Sequence, residues 1–303
     1  MSERDGADRG TALTRRILKP RPPLPQTGEV VIHGKTRPIA VVRPRPTLLG
    51  RRYAVVYDVE GPRARLGVVW FGFAIGALVL GPLGVAPLYG LMAGLAGYQS
   101  AKAWRLVGSG ANPWVAAAGA LAIGGGAVFG IGIIGLSILV LAFLAVVVST
   151  LEVRLKSPVF EAAGTAVQCA LFAGLAAAGV VLTIRLEIGA AVTLVLLVSA
   201  YEVGDFIVGS GASSSLEGPF SGIVAMAVVC GVIAILRVPP FDGTPVFVFG
   251  GFAAVCCPLG QLAASAILPR ADARARALRR LDSLIVLGPL WALLTGIYLQ
   301  QLR

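Results

Sequence analysis

"PWVAAAGALAIGGGAVFGIGIIGLSILVLAFLAVVVSTL", residues 113–151, runs for 39 positions without a charged side chain. About 20 apolar residues carry a helix across the hydrocarbon of a bilayer. The stretch is thus twice one span and reads as a helical hairpin, turning near Gly130–Gly135. Residues 66–101 repeat the case, with Gly81-Pro82 as the turn. Lipid offers no hydrogen bonds, so a chain this apolar must satisfy its backbone internally, as helix.

Working outward, the other apolar runs add five helices. The nine are expected at about 67–82, 84–101, 114–131, 133–151, 162–184, 188–205, 219–236, 245–268 and 282–301. Composition agrees: 56% of residues are hydrophobic, 14% are charged, and mean hydropathy is +0.84. That excludes a soluble globular domain and defines an all-α integral membrane protein.

Residues 1–65 differ from the rest. They are polar and basic, Pro-rich and partly disordered over 1–28, with short β-like runs at 29–42 and 53–59 that would pair into a small hairpin. No apolar h-region occurs there, so the first crossing is expected to be internal and retained. Residues 66–303 form the polytopic domain.

Charge sets the orientation. With the N-terminus inside, 23 of the 26 Lys and Arg fall on one side, and only Arg185, Arg237 and Arg303 on the other. The positive-inside rule makes that N-terminus cytoplasmic and C-terminus outside. The expected location is a bacterial cytoplasmic (inner) membrane, because the excess of arginine over lysine, 22 to 4, fits high-GC coding bias. The +11 charge is then a coat facing anionic lipid. No nucleic acid is expected, since no recognisable motif interleaves aromatics with the basic residues.

The polar survivors are few. Cys169, Cys230, Cys256 and Cys257 lie inside apolar runs and read as small core residues. His33, the only histidine, precedes the helices, which excludes His-based chemistry among them. Small-xxx-small spacing at Gly90/Gly94 and Gly126/Gly130 reads as helix packing within the monomer, with a dimer interface as the alternative.

Four acids remain. Glu202 and Asp205 share a face near the inner end of helix six. Glu217 opens helix seven, with Ser213 or Ser214 as its N-cap. Asp282 opens helix nine, where the helix dipole favours an acid. All four fall at one cytoplasmic level, with Arg270, Arg274, Arg276, Arg279 and Arg280. Carboxylates hold divalent cations and arginines clamp phosphates. The inventory suits a phosphorylated substrate or nucleotide at the inner leaflet, and equally plain interfacial salt bridges.

"YEVGDFIVG", "SSSLEGPFSG", "PLGQLAASAILPR" and "LRRLDSLIVLGPLWALL" carry a resemblance, over residues 195–300, to phosphatidate cytidylyltransferase, the CDP-diacylglycerol synthase family. "YEVGDFIVG" is similar to the family's acid-x-Gly-x-aromatic helix end at Glu202, Gly204 and Phe206. "SSSLEGPFSG" is similar to its Ser-Pro-x-Lys-Ser-x-Glu-Gly segment at Ser215, Glu217 and Gly218. "PLGQLAASAILPR" and "LRRLDSLIVLGPLWALL" resemble its Gly-Asp-x-x-x-Ser and Asp-Arg-x-Asp-Ser segments at Gly260, Ser265, Arg280, Asp282 and Ser283. The resemblance implies CMP transfer from CTP to a lipid phosphate at the inner leaflet. Asp282, Glu202 and Asp205 would hold Mg2+, Arg279, Arg280 and Ser215 would hold phosphate, and Glu217 with Ser215 would order the loop. Membrane lipid and CTP are the implied partners.

The departures are specific. The family's lysine falls on Ser214, one acid on Gln261 and another on Arg279. Its His-Gly-Gly loop is missing, and no lysine follows Lys156. The second expectation is therefore a catalytically degenerate member that binds lipid or a partner protein. A transporter ranks third, since no repeated, broken-helix halves are visible.

Overall fold

A computed structural model describes residues 29–32, 35–38, 63–152, 157–210, 216–270 and 273–302, with backbone only for the first two stretches and for 63–66 and 68. The chain divides into two compact units, Met1–Pro44 and Arg45–Arg303. In the first, β1 (Glu29–Ile32) pairs antiparallel with β2 (Lys35–Pro38), Glu29 opposite Pro38 and Ile32 opposite Lys35. The 29–32 run pairs with the segment two residues on, and 53–59 lies outside the described residues. A two-residue connection keeps the closure cost of this pairing low.

The second unit is helical among its described residues. Its helices are α1 (Arg63–Val79), α2 (Pro82–Leu106), α3 (Pro113–Gly126), α4 (Ile131–Leu151), α5 (Val159–Leu186), α6 (Ile188–Gly209), α7 (Glu217–Leu236), α8 (Pro245–Ile267) and α9 (Asp282–Gln301). Short 3-10 turns occupy Ala127–Phe129 and Leu278–Arg280. Six of these helices, α4 to α9, are long and apolar enough to cross a membrane. The apolar parts of α1 and α3 are shorter, Val69–Val79 and, with its 3-10 extension, Pro113–Phe129. α2 has the length, but its glycines, prolines and tyrosines dilute its hydropathy, and it is not among the six.

Both hairpin turns form where special backbone is available. Gly81 (φ 72°) precedes Pro82, whose fixed φ and missing N–H suit a first helical position. Gly130 (φ 112°) starts α4 directly after the 3-10 turn. Gly130 is thus a turn residue and not half of a packing pair with Gly126. The Gly90/Gly94 stripe does pack within the monomer: a Cβ on Gly90 would sit 3.0 Å from Gly125 Cα, and one on Gly94 would sit 3.3 Å from the Ala117 carbonyl oxygen.

α5 is the central post, packed against α2, α3, α4, α6 and α9. Some 67% of its spanning window is buried, against 17% for α4. Its buried side is mostly alanine and glycine, which lets neighbouring backbones come close. At Gly179 any Cβ would collide with the Gly288 carbonyl of α9. The outward faces are large and apolar: Leu139 is 70% exposed, Phe143 67% and Ile235 81%. Such a surface would associate in water and is stable against hydrocarbon. The molecule is an α-helical, multi-pass membrane protein.

Candidate functional site

One end of the bundle collects the polar side chains. It is built from the last turns of α6 and α8, the Leu278–Arg280 turn and the start of α9. The end of α8 and the segment after it are held to α2 by two long-range bonds. Trp104 Nε1 donates to the Ile267 carbonyl at 2.7 Å, and the Ala277 N–H donates to Gln99 Oε1 at 2.9 Å. These contacts carry the arginine-bearing turn back over the end of α6.

Two backbone crossings bring the pieces together. A Cβ on Gly204 would fall 2.8 Å from the Ser221 carbonyl oxygen, so α6 and α7 touch there. A Cβ on Gly260 would overlap the Asp282 carbonyl, so α8 and α9 touch at the site itself.

A chain of hydrogen bonds follows. Tyr201 Oη donates to Gln261 Oε1 at 3.1 Å, and Gln261 Nε2 donates to Asp205 Oδ2 at 2.9 Å. Ser265 Oγ donates to the Gln261 carbonyl at 3.2 Å and accepts from Arg279 Nη1 at 3.1 Å. Arg279 Nη1 also lies 4.0 Å from Asp282 Oδ2. Asp282 Oδ1 accepts from the Ser283 backbone N–H at 2.8 Å. Asp205 and Asp282 are buried, at 4% and 7% exposure. Burial pushes the Arg279 pKa down and the Asp282 charge opposes that shift. Buried polar chains of this kind are stable only when each member is matched.

Glu202 belongs to a neighbouring space. It lines a cavity of about 30 Å³ with Arg280, Ser199, Trp70 and Tyr89. It also lies near the Ser283 side chain and feels the charges of Asp282, Arg280 and Asp205. Glu202 and Asp205 are close, but they are engaged by different neighbours: Asp205 by Gln261 of α8, Glu202 by the cavity and α9.

Asp282, Arg279, Asp205 and Glu202 therefore gather in one region, with Arg280 at its edge. Glu217 is exposed at the start of α7, and Ser215 lies outside the described residues. Leu216 occupies the cap position of α7 without a side-chain cap bond of its own, and Ser213 and Ser214 lie outside the described residues.

Among the described residues, no three of the acids, cysteines and histidines form a group that could hold a metal ion. The donors explain this. Asp205 accepts from an amide and Asp282 faces a guanidinium, whereas a divalent cation needs several carboxylates turned toward one point. As arranged, these residues do not fit Mg2+. Tyr201 and Gln261 were not singled out as partners from sequence. The available signal was the i, i+4 spacing of Tyr201 and Asp205, which sets both on one face of α6.

No protein-family model, no curated protein and no solved structure matches the chain.

Proposed function

We propose that the chain is a multi-pass protein of a bacterial cytoplasmic membrane that binds membrane lipid and does not turn over CTP. In this reading it crosses nine times, N-terminus inside and C-terminus outside. Its residues 195–300 resemble phosphatidate cytidylyltransferase but are catalytically degenerate. One observation carries the reading: the two buried aspartates are matched by protein donors, Asp205 by Gln261 and Asp282 by Arg279. Gln261 and Arg279 stand where the resembled family has acids. A position that supplied a ligand there would here supply a proton donor or a cation.

The basic skew of the short loops supports the orientation, since Lys102, Arg105 and the arginines of 270–280 all fall on the polar-cluster side. The test is purified protein with labelled CTP, Mg2+ and mixed phosphatidic and polyprenyl phosphates. No labelled lipid and no CTP retention is the expected result. Metal-dependent labelling that is lost in Asp282→Asn would overturn the reading in favour of the transferase. Accessibility of single cysteines placed in the 107–110 and 238–244 loops tests the orientation, with label expected from the cytoplasmic side only for the first.

A further inference from the structure

We propose that the cavity between α1, α2, α6 and α9 receives the primary ammonium of an aminophospholipid against Glu202, with the rest of the headgroup at the cavity mouth and its phosphate against Arg280. This rests on the lipid-binding reading above and names the lipid class. Opposite charges line the space. Glu202 feels the charge of Arg280, yet among the described residues no ion pair within 4 Å joins them. The gap between a carboxylate and a guanidinium suits a ligand that carries a cation and an anion a short distance apart. The other acids nearby have their own partners, so Glu202 is the carboxylate that faces the cavity.

Size decides which cation. About 30 Å³ is room for roughly two waters. A primary ammonium is the size of a water molecule and fits. A trimethylammonium is several times larger and does not. Trp70 and Tyr89 meet edge to face, with centroids 5.7 Å apart, and form an aromatic wall of the space.

Access decides that the ligand is a lipid. On the α1 side the cavity is lined by Trp70, Phe71 and Ala74, and on the same helix Val69 is 51% and Phe73 61% exposed. Acyl chains lying on that apolar face would leave the headgroup at the cavity mouth, at the level of the basic turn.

The experiment uses the full chain in nanodiscs or detergent, with binding read by native mass spectrometry. The probes are phosphatidylethanolamine, its N-methyl and N,N-dimethyl forms, phosphatidylcholine, phosphatidylglycerol and free phosphoethanolamine. Binding should fall with each added methyl, by about tenfold or more overall, as when one partner of a desolvated charge pair is lost. Free phosphoethanolamine should compete poorly. Glu202→Gln should reduce phosphatidylethanolamine to the phosphatidylcholine level, Arg280→Gln should weaken all the phospholipids, and Ser199→Leu should fill the cavity and remove the preference. The methylation series needs no variant and decides the matter even if Glu202→Gln does not fold. Equal binding of phosphatidylethanolamine and phosphatidylcholine, or tighter binding of phosphatidylglycerol, overturns the proposal. Effective competition by free phosphoethanolamine overturns the lipid assignment. CTP turnover would sink the preceding reading and leave ammonium selectivity standing, so the two failures are distinguishable.

Discussion

Helix α9 enters the bundle through a polar end and leaves it through an aromatic one. At the entry, Asp282 and Ser283 are buried beside Arg279, Ser265 and Gln261. Toward the exit, Trp291 packs edge-on against Phe241 and Phe249, with centroids 5.5 and 5.1 Å away, and Tyr298 donates to the Pro240 carbonyl at 3.1 Å. The two ends are held by different physics. Aromatic packing is a sum of many weak contacts and degrades by degrees. A buried polar chain is directional, and losing one member strands the next. The aromatic end even tolerates a defect, since Trp291 Nε1 is buried without a hydrogen-bond partner.

Four measurements of unfolding in detergent test that contrast. Arg279→Met should have the largest effect, about 3–5 kcal/mol, because it leaves Asp282 buried without its cation. Adding Asp282→Asn should recover much of that loss; a double variant as unstable as the single one would break the comparison. Next comes Phe241→Ala, fully buried in the aromatic cluster, at about 3 kcal/mol from lost packing and the cavity left behind. Phe241→Leu should recover more than half of it, the graded response expected of packing. Gln261→Leu keeps the volume but removes the donor to Asp205 and the acceptor for Tyr201, for about 2 kcal/mol. If it were neutral, the polar end would be no more directional than the aromatic one. Tyr298→Phe should be smallest, about 1 kcal/mol for one partly exposed hydrogen bond.

The helices were legible in the chain because each carries its own signal. The absence of charge marked the spans, Gly81-Pro82 marked one turn, and the break in the second hairpin came at Gly130, inside the expected interval. The ends of elements were less legible. α2 continues to Leu106 past Lys102, because a long cationic side chain reaches water from the last turn of a helix. α7 begins at Glu217, and the serines expected to cap it lie outside the described residues.

Of the polar cluster, Glu202, Asp205, Asp282 and Arg279 stood out because a charge in an apolar run is conspicuous. Gln261 did not stand out as a partner, since a neutral amide on an apolar helix looks unremarkable until a carboxylate is found 2.9 Å away. Its role depends on a contact between residues 56 positions apart, which no local pattern encodes.

Sequence alone determined that this is a helical membrane protein, where its helices run, and which few side chains are too polar for lipid. Those are properties of single segments against a bilayer, set by transfer energies that each segment carries with it. Tertiary structure alone decided that α5 is the post, that Gly260 lets α8 reach α9, and that Asp205 and Asp282 face an amide and a guanidinium. Those are properties of pairs of segments, and a pair exists only once the backbones have packed.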